Sequence, residues 1–429
     1  MSSPVSASAS TSGASPRRNA NAPARFFSYP RQTRSISLDI LRFFAIFLVL
    51  GRHAVFTSDE GAGLPWPARV WHHIGWSGVD LFFVLSGFLV GGLLFAEYKK
   101  KGTVDVKRFV IRRGFKIWPP YFAYLIFLAA WLLYKSHGAH PGEVVSKLWP
   151  NLLHAQNYFH IHEPLRLHTW SLAVEEHFYL VIALFFFLLV RAREPANWLK
   201  RFPAFAIASF VLLAVLRFFN YRSAGDSLNI YATHLRFDGL LLGTLIAYCY
   251  HLHPEFLRRI TRQPLVLIAL GGLLVLPDLY WSPEASEWTV SIGMTGLYLG
   301  FGLFVLGWIH LAESHRFWQR LFDGPLATIL GWVGFFSYSI YLWHVDLAKT
   351  PLDKYFTTAR FGSYSPVAVW FAANALFVIG SVMVGAIMAS LFEKPSLVLR
   401  DRFFPSAAGA PKPVEQQAPA NFGPKPPAK

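Results

Sequence analysis

Between residues 38 and 392 the chain is built from ten long apolar runs, at 38–57, 78–97, 117–134, 168–190, 203–219, 236–252, 265–281, 290–312, 326–346 and 367–392. A helix needs about 20 apolar residues to cross the hydrocarbon core of a bilayer. Inside lipid every backbone N–H and C=O must be satisfied within the protein, so only helices and closed barrels can span it. Runs of this length select helices. The expected fold is therefore an all-α integral membrane protein: a bundle of about ten transmembrane helices with both termini cytoplasmic. Ten is an even number, so both ends lie on one side. The runs at 203–219 and 265–281 are short for the task. No internal repeat is evident, which weakens an inverted-repeat transporter reading.

Composition agrees with the runs. Hydrophobic residues make up 54% of the 429, and charged residues only 15%, against about 25% in soluble domains. This excludes a disordered protein and fits a soluble globular enzyme poorly. The formal net charge of +16 would suit either nucleic acid or an anionic membrane surface, and its location decides between them. With the N-terminus inside, the inner segments carry a net +20, the outer loops zero and the spans −4. That is the positive-inside pattern, so no nucleic-acid partner is expected. The strongest inner segment, 98–116, holds Lys99, Lys100, Lys101, Lys107, Arg108, Arg112, Arg113 and Lys116. Residues 1–34 are rich in Ser, Ala, Arg and Pro with no apolar signal region, and 397–429 are rich in Pro, Ala and Lys. Both are expected to be disordered tails. The single cysteine, Cys249, excludes an internal disulfide and a thiolate-rich metal site.

An ionisable residue within a spanning helix costs about 2.5–3.5 kcal/mol on insertion scales. Those at span ends, Asp39, Glu97, His251 and Asp346, can snorkel. The rest call for a buried polar site. In the first run Arg42 and His53 are eleven residues apart. At about 100° per residue they share a face, about 16 Å apart along the axis. The competing reading is a snorkelling arginine and a hydrogen-bonded core histidine. Near the outer third of the membrane fall His53, Asp80, Glu175, Glu176, Arg236, Asp238 and His344; near the inner end fall Arg42, Arg112, Arg113 and Lys116. A cationic inner layer suits an anionic ligand. An outer layer of acids and histidines suits proton transfer. Ser86 sits among glycines and is read equally as a packing residue. The basic cluster before Pro119 and Pro120 has ordinary positive-inside charge as its alternative. His154, His160 and His162 fall in the long outer loop 135–167, where a solvated loop is expected and no metal site is assigned.

These stretches, taken in order, resemble the acyltransferase-three family of multi-pass membrane acyltransferases, which modify bacterial cell-surface sugars and some small molecules. The resemblance covers 35–396. Arg42 and His53 match the family's arginine and histidine in helix one. Gly78, Asp80, Phe82, Phe83, Ser86, Gly87 and Phe88 match its G-x-D-x-F-F-x-x-S-G-F stretch. Trp170, Ser171, Leu172, Glu175, Phe178 and Tyr179 match W-S-L-x-x-E-x-x-F-Y, which marks Glu175 rather than Glu176 as the family acid. Ser337, Tyr338, Tyr341, Leu342 and His344 match a late S-Y-x-x-Y-L-x-H stretch, and Glu393 and Pro395 a final Glu-x-Pro. One departure is Lys116, where the family usually has a second arginine three residues after Arg113. It keeps the charge and loses bidentate phosphate contact, so the choice among Arg112, Arg113 and Lys116 stays open. Some relatives carry an extra hydrolase-like domain after the last helix. With about 35 residues following here, transfer is expected to finish in the membrane domain or on a separate periplasmic partner. Homo-oligomerisation also stays open.

The resemblance implies a multi-pass enzyme of the bacterial cytoplasmic (inner) membrane that takes an acyl group, usually acetyl, from acyl-CoA without a metal. Arg42, with Arg112, Arg113 and Lys116, would hold the donor phosphates. His53 would act as general base or carry the acyl group briefly, oriented by Glu175 or Asp80, with His344 a second base. Arg236 would offset charge on the tetrahedral intermediate. Ser86, Trp170 and Tyr341 would support the substrate, a carbohydrate hydroxyl. The alternative is a multi-pass transporter or flippase for a glycan or small anion.

Overall fold

Each of the ten apolar runs carries a helix in the computed structural model, which describes residues 35–56, 64–135, 141–159, 167–224, 229–281, 285–314 and 316–405. The predicted tail 1–34 and residues 406–429 of the predicted tail 397–429 lie outside the described residues, as do His160 and His162. Among the described residues every regular element is helical. We number the main helices α1 Ile36–Arg52, α2 Gly78–Lys101, α3 Val106–Lys135, α4 Trp170–Leu189, α5 Pro195–Ala224, α6 Phe237–Leu252, α7 Pro264–Tyr280, α8 Met294–Ser314, α9 Pro325–Phe335, α10 Ser337–Trp343, α11 Pro366–Met388 and α12 Lys394–Phe403. Six helices among the described residues are long and apolar enough to cross a membrane, or up to eight if each bent pair counts as one span. One bent pair is α9 with Ser337–Tyr355, which turns by 52°. α1 and α6 are shorter, at 17 and 16 residues.

Helix ends follow local chemistry. Proline opens α5, α7, α9 and α11, where the missing N–H costs nothing. Gly102 closes α2 in the left-handed conformation (φ +70°), and its N–H bonds the Tyr98 carbonyl at 2.7 Å. α1 stops at Arg52, five residues before the predicted end, so His53 is its C-cap.

Two buried apolar clusters hold the bundle. One joins α2, α4, α6 and α8; the other joins α1, α3, α10 and α11. The outer helices expose large apolar side chains, such as Phe205, Val211 and Leu212 on α5 and Leu273 and Leu276 on α7. Hydrocarbon solvates such surface and water does not. α2 and α6 pack backbone to backbone. A Cβ on Gly87 would meet the Leu240 carbonyl, and one on Gly243 would meet the Val84 carbonyl. Gly87→Val is therefore expected to force the helices apart at about 1–3 kcal/mol, read as a lower yield of folded protein after detergent extraction than for Gly92→Val.

Buried ion pairs brace α2, α5, α6 and α8. The Arg236 guanidinium lies 2.6 Å from Asp80 Oδ1, which also accepts from Tyr298 Oη at 2.8 Å. Arg217 lies 2.8 Å from Asp238 and donates to the Leu235 and Ser291 carbonyls and to Thr295 Oγ1. All four charged side chains are 3% exposed or less.

Two expectations need correcting. The tail predicted from residue 397 begins as helix α12, whose Ser396 Oγ donates to the Phe115 carbonyl of α3 at 2.7 Å. The loop 135–167 contains helices Pro141–Leu152 and Gln156–Phe159, docked on α3 and α4. Tyr121 Oη donates to the Asn151 carbonyl, and Gln156 Nε2 to the Thr169 carbonyl, both at 2.9 Å. His154 is thus half-buried and stacked on Tyr121, with ring centres 4.5 Å apart. Burial pushes its pKa down to about 4.

Candidate active site

At the end of the bundle carrying the Lys99–Lys116 connection, α1, α2, α3, α4, α10 and α12 enclose a cavity of about 930 Å³. That falls within the roughly 300–1,000 Å³ of small-molecule and cofactor sites. α1 supplies Arg42, and α2 supplies Lys100 and Lys101. Four more cations, Arg108, Arg112, Arg113 and Lys116, come from α3, and Arg400 comes from α12. Against these eight stand three carboxylates in the wall, Asp39, Glu97 and Glu175. Arg42 pairs with Asp39 one turn earlier, and Glu97 takes Arg108 and Lys101. The excess of cations, five of them planar guanidinium groups, suits a ligand with several phosphates.

The four residues predicted for phosphate contact, Arg42, Arg112, Arg113 and Lys116, share this lining. Ser86, Glu175 and Tyr341 share it as well. Ser86 Oγ and Tyr179 Oη both donate to Glu175 Oε1. The Arg113 guanidinium sits 5.6 Å from the Tyr179 ring centre. Glu176, on the neighbouring face, accepts from Trp118 Nε1 at 3.1 Å.

Deeper in the bundle the wall is a hydroxyl pair. Tyr341 Oη donates to the His168 carbonyl, so Ser171 Oγ, 2.6 Å away, donates to Tyr341 Oη. The ring of Tyr341 lies 6.0 Å from that of His344. Tyr341 therefore stands between the cavity and a cluster of histidines.

His53 and His344 meet in that cluster, His53 Nδ1 to His344 Nε2 at 3.1 Å. Their other contacts fix the protons. At the end of α1, where carbonyls lack helical partners, His53 Nδ1 lies 3.0 Å from the Val49 carbonyl. His344 opens a π-helical turn, His344–Lys349, a break in helical bonding often found at functional sites. Its Nδ1 lies 2.8 Å from the Tyr341 carbonyl and 3.2 Å from that of Ile340. A carbonyl only accepts, so both Nδ1 atoms carry hydrogen in the neutral pair. His53 Nδ1–H is then shared between Val49 O and the lone pair of His344 Nε2. His53 Nε2 is left as the basic nitrogen.

Asp80, Arg236 and Trp170 do not line the cavity. Asp80 and Arg236 belong to the buried brace, and the Arg236 guanidinium sits 4.9 Å from the Trp170 ring centre. The carboxylate of Asp80 is held by Arg236 and Tyr298, and Glu175 Oε1 by Ser86 and Tyr179. Neither is seen to hydrogen-bond His53; the side chain that hydrogen-bonds its imidazole is His344. Two residues were overlooked in the sequence. His168 packs against both histidines, its ring centre 5.4 Å from His344 and 6.3 Å from His53. It opens the HTWSL stretch, so its place beside a motif was the available signal. Arg400 fell in the presumed tail, and the apolar residues Leu397, Val398 and Leu399 just before it were the missed sign of a helix. Among the described residues no group of three His, Cys, Asp or Glu is placed to hold a metal ion.

A cation-lined cavity is joined by one helix to a hydrogen-bonded pair of histidines. Comparison with known proteins gives the class: a family model described as an acyltransferase domain matches residues 35–388, and the chain belongs to this acyltransferase-three family. Among curated proteins it is similar to the O-acetyltransferase OatA of Staphylococcus aureus (strain NCTC 8325 / PS 47), 29% identical over 293 residues, covering 65% of this chain and 46% of the relative. It is also similar to the peptidoglycan O-acetyltransferase OatA of Listeria monocytogenes, 28% identical over 336 residues, 72% of this chain and 49% of that protein. A third relative is a putative O-acetyltransferase of S. aureus strain COL, 27% identical over 351 residues, 77% and 54%. The chain spans about half the length of these relatives. No solved structure matches.

Proposed function

We propose that the protein is a ten-span enzyme of the bacterial inner membrane. It moves an acyl group, acetyl for preference, from cytoplasmic acyl-CoA to a hydroxyl of an exported or cell-surface carbohydrate. Both termini and the 98–116 connection face the cytoplasm, supported by the net +20 of the inner segments. The relatives named O-acetyltransferase support acetyl transfer, and the Listeria relative, named for peptidoglycan, supports a glycan acceptor.

The observation that carries this reading is the geometry of α1. One helix places Arg42 in the cation-lined cavity and, eleven residues on, His53 at its far end, about 16 Å away. Phosphates held by Arg42, Arg113 and Lys116 leave the slender arm of the donor to rise past Tyr341, which swings off the His168 carbonyl. His53 Nε2 takes the proton of the acceptor hydroxyl as its oxygen attacks the thioester carbon. The new C–O bond forms, the C–S bond breaks, and the departing thiolate takes up the proton that His53 Nε2 received, which restores the neutral imidazole and releases coenzyme A as the thiol. The imidazolium is stabilised because its Nδ1–H bond to His344 becomes charge-assisted. Such a bond contributes about 1.5–3 kcal/mol, so His344→Ala is expected to slow transfer roughly 10- to 100-fold, with His344→Gln, which keeps an acceptor, falling between.

The test is label transfer. Membranes containing the protein receive acetyl-CoA labelled in the acetyl group together with muropeptides or other envelope glycans. Ester-linked label, released by mild alkali and absent from membranes without the protein, is the expected result. Uptake of glycan that proceeds without acyl-CoA, with no ester formed, contradicts it.

A further inference from the structure

Helix α12 reaches the cavity mouth and brings charge of both signs. Arg400 lines the cavity beside Arg112 of α3. Between them lies Asp401. Its Oδ1 is 3.1 Å from Arg112 Nη2, and its two oxygens are each 2.9 Å from Arg400, at Nε and Nη2. The contact with Arg400 is the bidentate fork that a phosphate would also make. Arg112 donates in addition to the Phe404 carbonyl, and Ser396 Oγ, one turn back, fixes the helix to the Phe115 carbonyl. The helix is therefore anchored at both ends against α3, while its carboxylate stays 55% exposed. An exposed carboxylate in an ion pair is weakly held, whereas the two guanidinium groups are only 19% and 21% exposed.

We propose that Arg400 belongs to the phosphate-binding cluster of the donor site, and that Asp401 occupies Arg112 and Arg400 until a polyphosphate ligand displaces it. Asp401 is thus a built-in competitor that sets donor affinity, and α12 is a wall of the binding site. A phosphate with two negative charges exchanges for a carboxylate with one, and the freed Asp401 turns to solvent. The cost of that exchange makes the cavity select against ligands carrying a single negative charge, such as free acyl carboxylates. This inference rests on the acyl-CoA reading of the cavity.

Coenzyme A binding to the full-length protein in detergent or nanodiscs tests it, measured by calorimetry for four variants. Asp401→Asn is expected to lower Kd about two- to fivefold, a gain that misfolding cannot produce. Arg400→Ala is expected to raise Kd about tenfold, with Arg400→Lys in between because it keeps the charge without the fork. Arg42→Ala serves as the reference for the cavity. If Arg42→Ala weakens binding while neither Asp401→Asn nor Arg400→Ala changes it, the role of α12 is overturned and the donor reading stands. If none of the four changes binding, both fall.

Discussion

His53→Ala is expected to lower acyl transfer about 10²–10⁴-fold, the loss expected if the proposed general base is removed, while coenzyme A is expected to bind as before. The two readouts separate because the proposed base, at the C-terminal end of α1, and Arg42 of the proposed phosphate cluster lie about 16 Å apart along that helix. The side chain removed is 3.1 Å from His344 and 3.0 Å from the Val49 carbonyl, and neither contact reaches the cavity. A purely structural histidine predicts something else: lower folded yield with normal turnover per folded molecule. His53→Gln, which can still bond the Val49 carbonyl, keeps the fold in either case. Normal turnover in His53→Gln removes His53 from the chemistry.

The second large effect is on folding. Breaking one partner of the Asp80–Arg236 pair leaves a buried charge without its ion-pair partner. Such losses cost about 3–5 kcal/mol, a large part of the usual 5–15 kcal/mol of a whole domain. Asp80→Ala and Arg236→Met, taken singly, are expected to yield little folded protein by size-exclusion profile and thermal unfolding. Removing both charges in the pair Asp80→Asn and Arg236→Met is expected to restore much of it, because neither partner is then left alone. Full-yield single variants with lost catalysis would instead return Asp80 and Arg236 to the reacting centre.

That reassignment marks the limit of what the sequence discloses. Position along a helix axis is legible in part, because hydropathy counts residues. Arg42, Arg112, Arg113 and Lys116 were expected at one level, and the cavity brings them together. Azimuth is not legible. Asp80, Glu175, Arg236, His53 and His344 are expected in one outer layer, yet Glu175 lines the cavity beside the inner cations, Arg236 pairs with Asp80, and α10 brings His344 to His53 across 291 residues of sequence. Those pairings depend on which helix neighbours which, a tertiary property with no periodic trace. The end of α1 at Arg52 was hidden because apolar sequence continues past it through Ala54, Val55 and Phe56. Helix α12 was hidden by the Pro- and Ala-rich stretch behind it, which lowered the hydropathy of the whole segment.

In the proposed mechanism one helix links a phosphate-holding cavity on one side of the membrane to a base that serves the other. Sealed proteoliposomes test it most directly. Protein of uniform orientation, established by protease access to its termini, is given acetyl-labelled CoA on the side of the termini and glycan acceptor on the opposite side. Label is predicted to appear on the acceptor across the membrane while coenzyme A stays behind, with transfer lost in both Arg42→Ala and His53→Ala. Equal transfer by wild type and His53→Ala, or transfer only when donor and acceptor share a side, would contradict it.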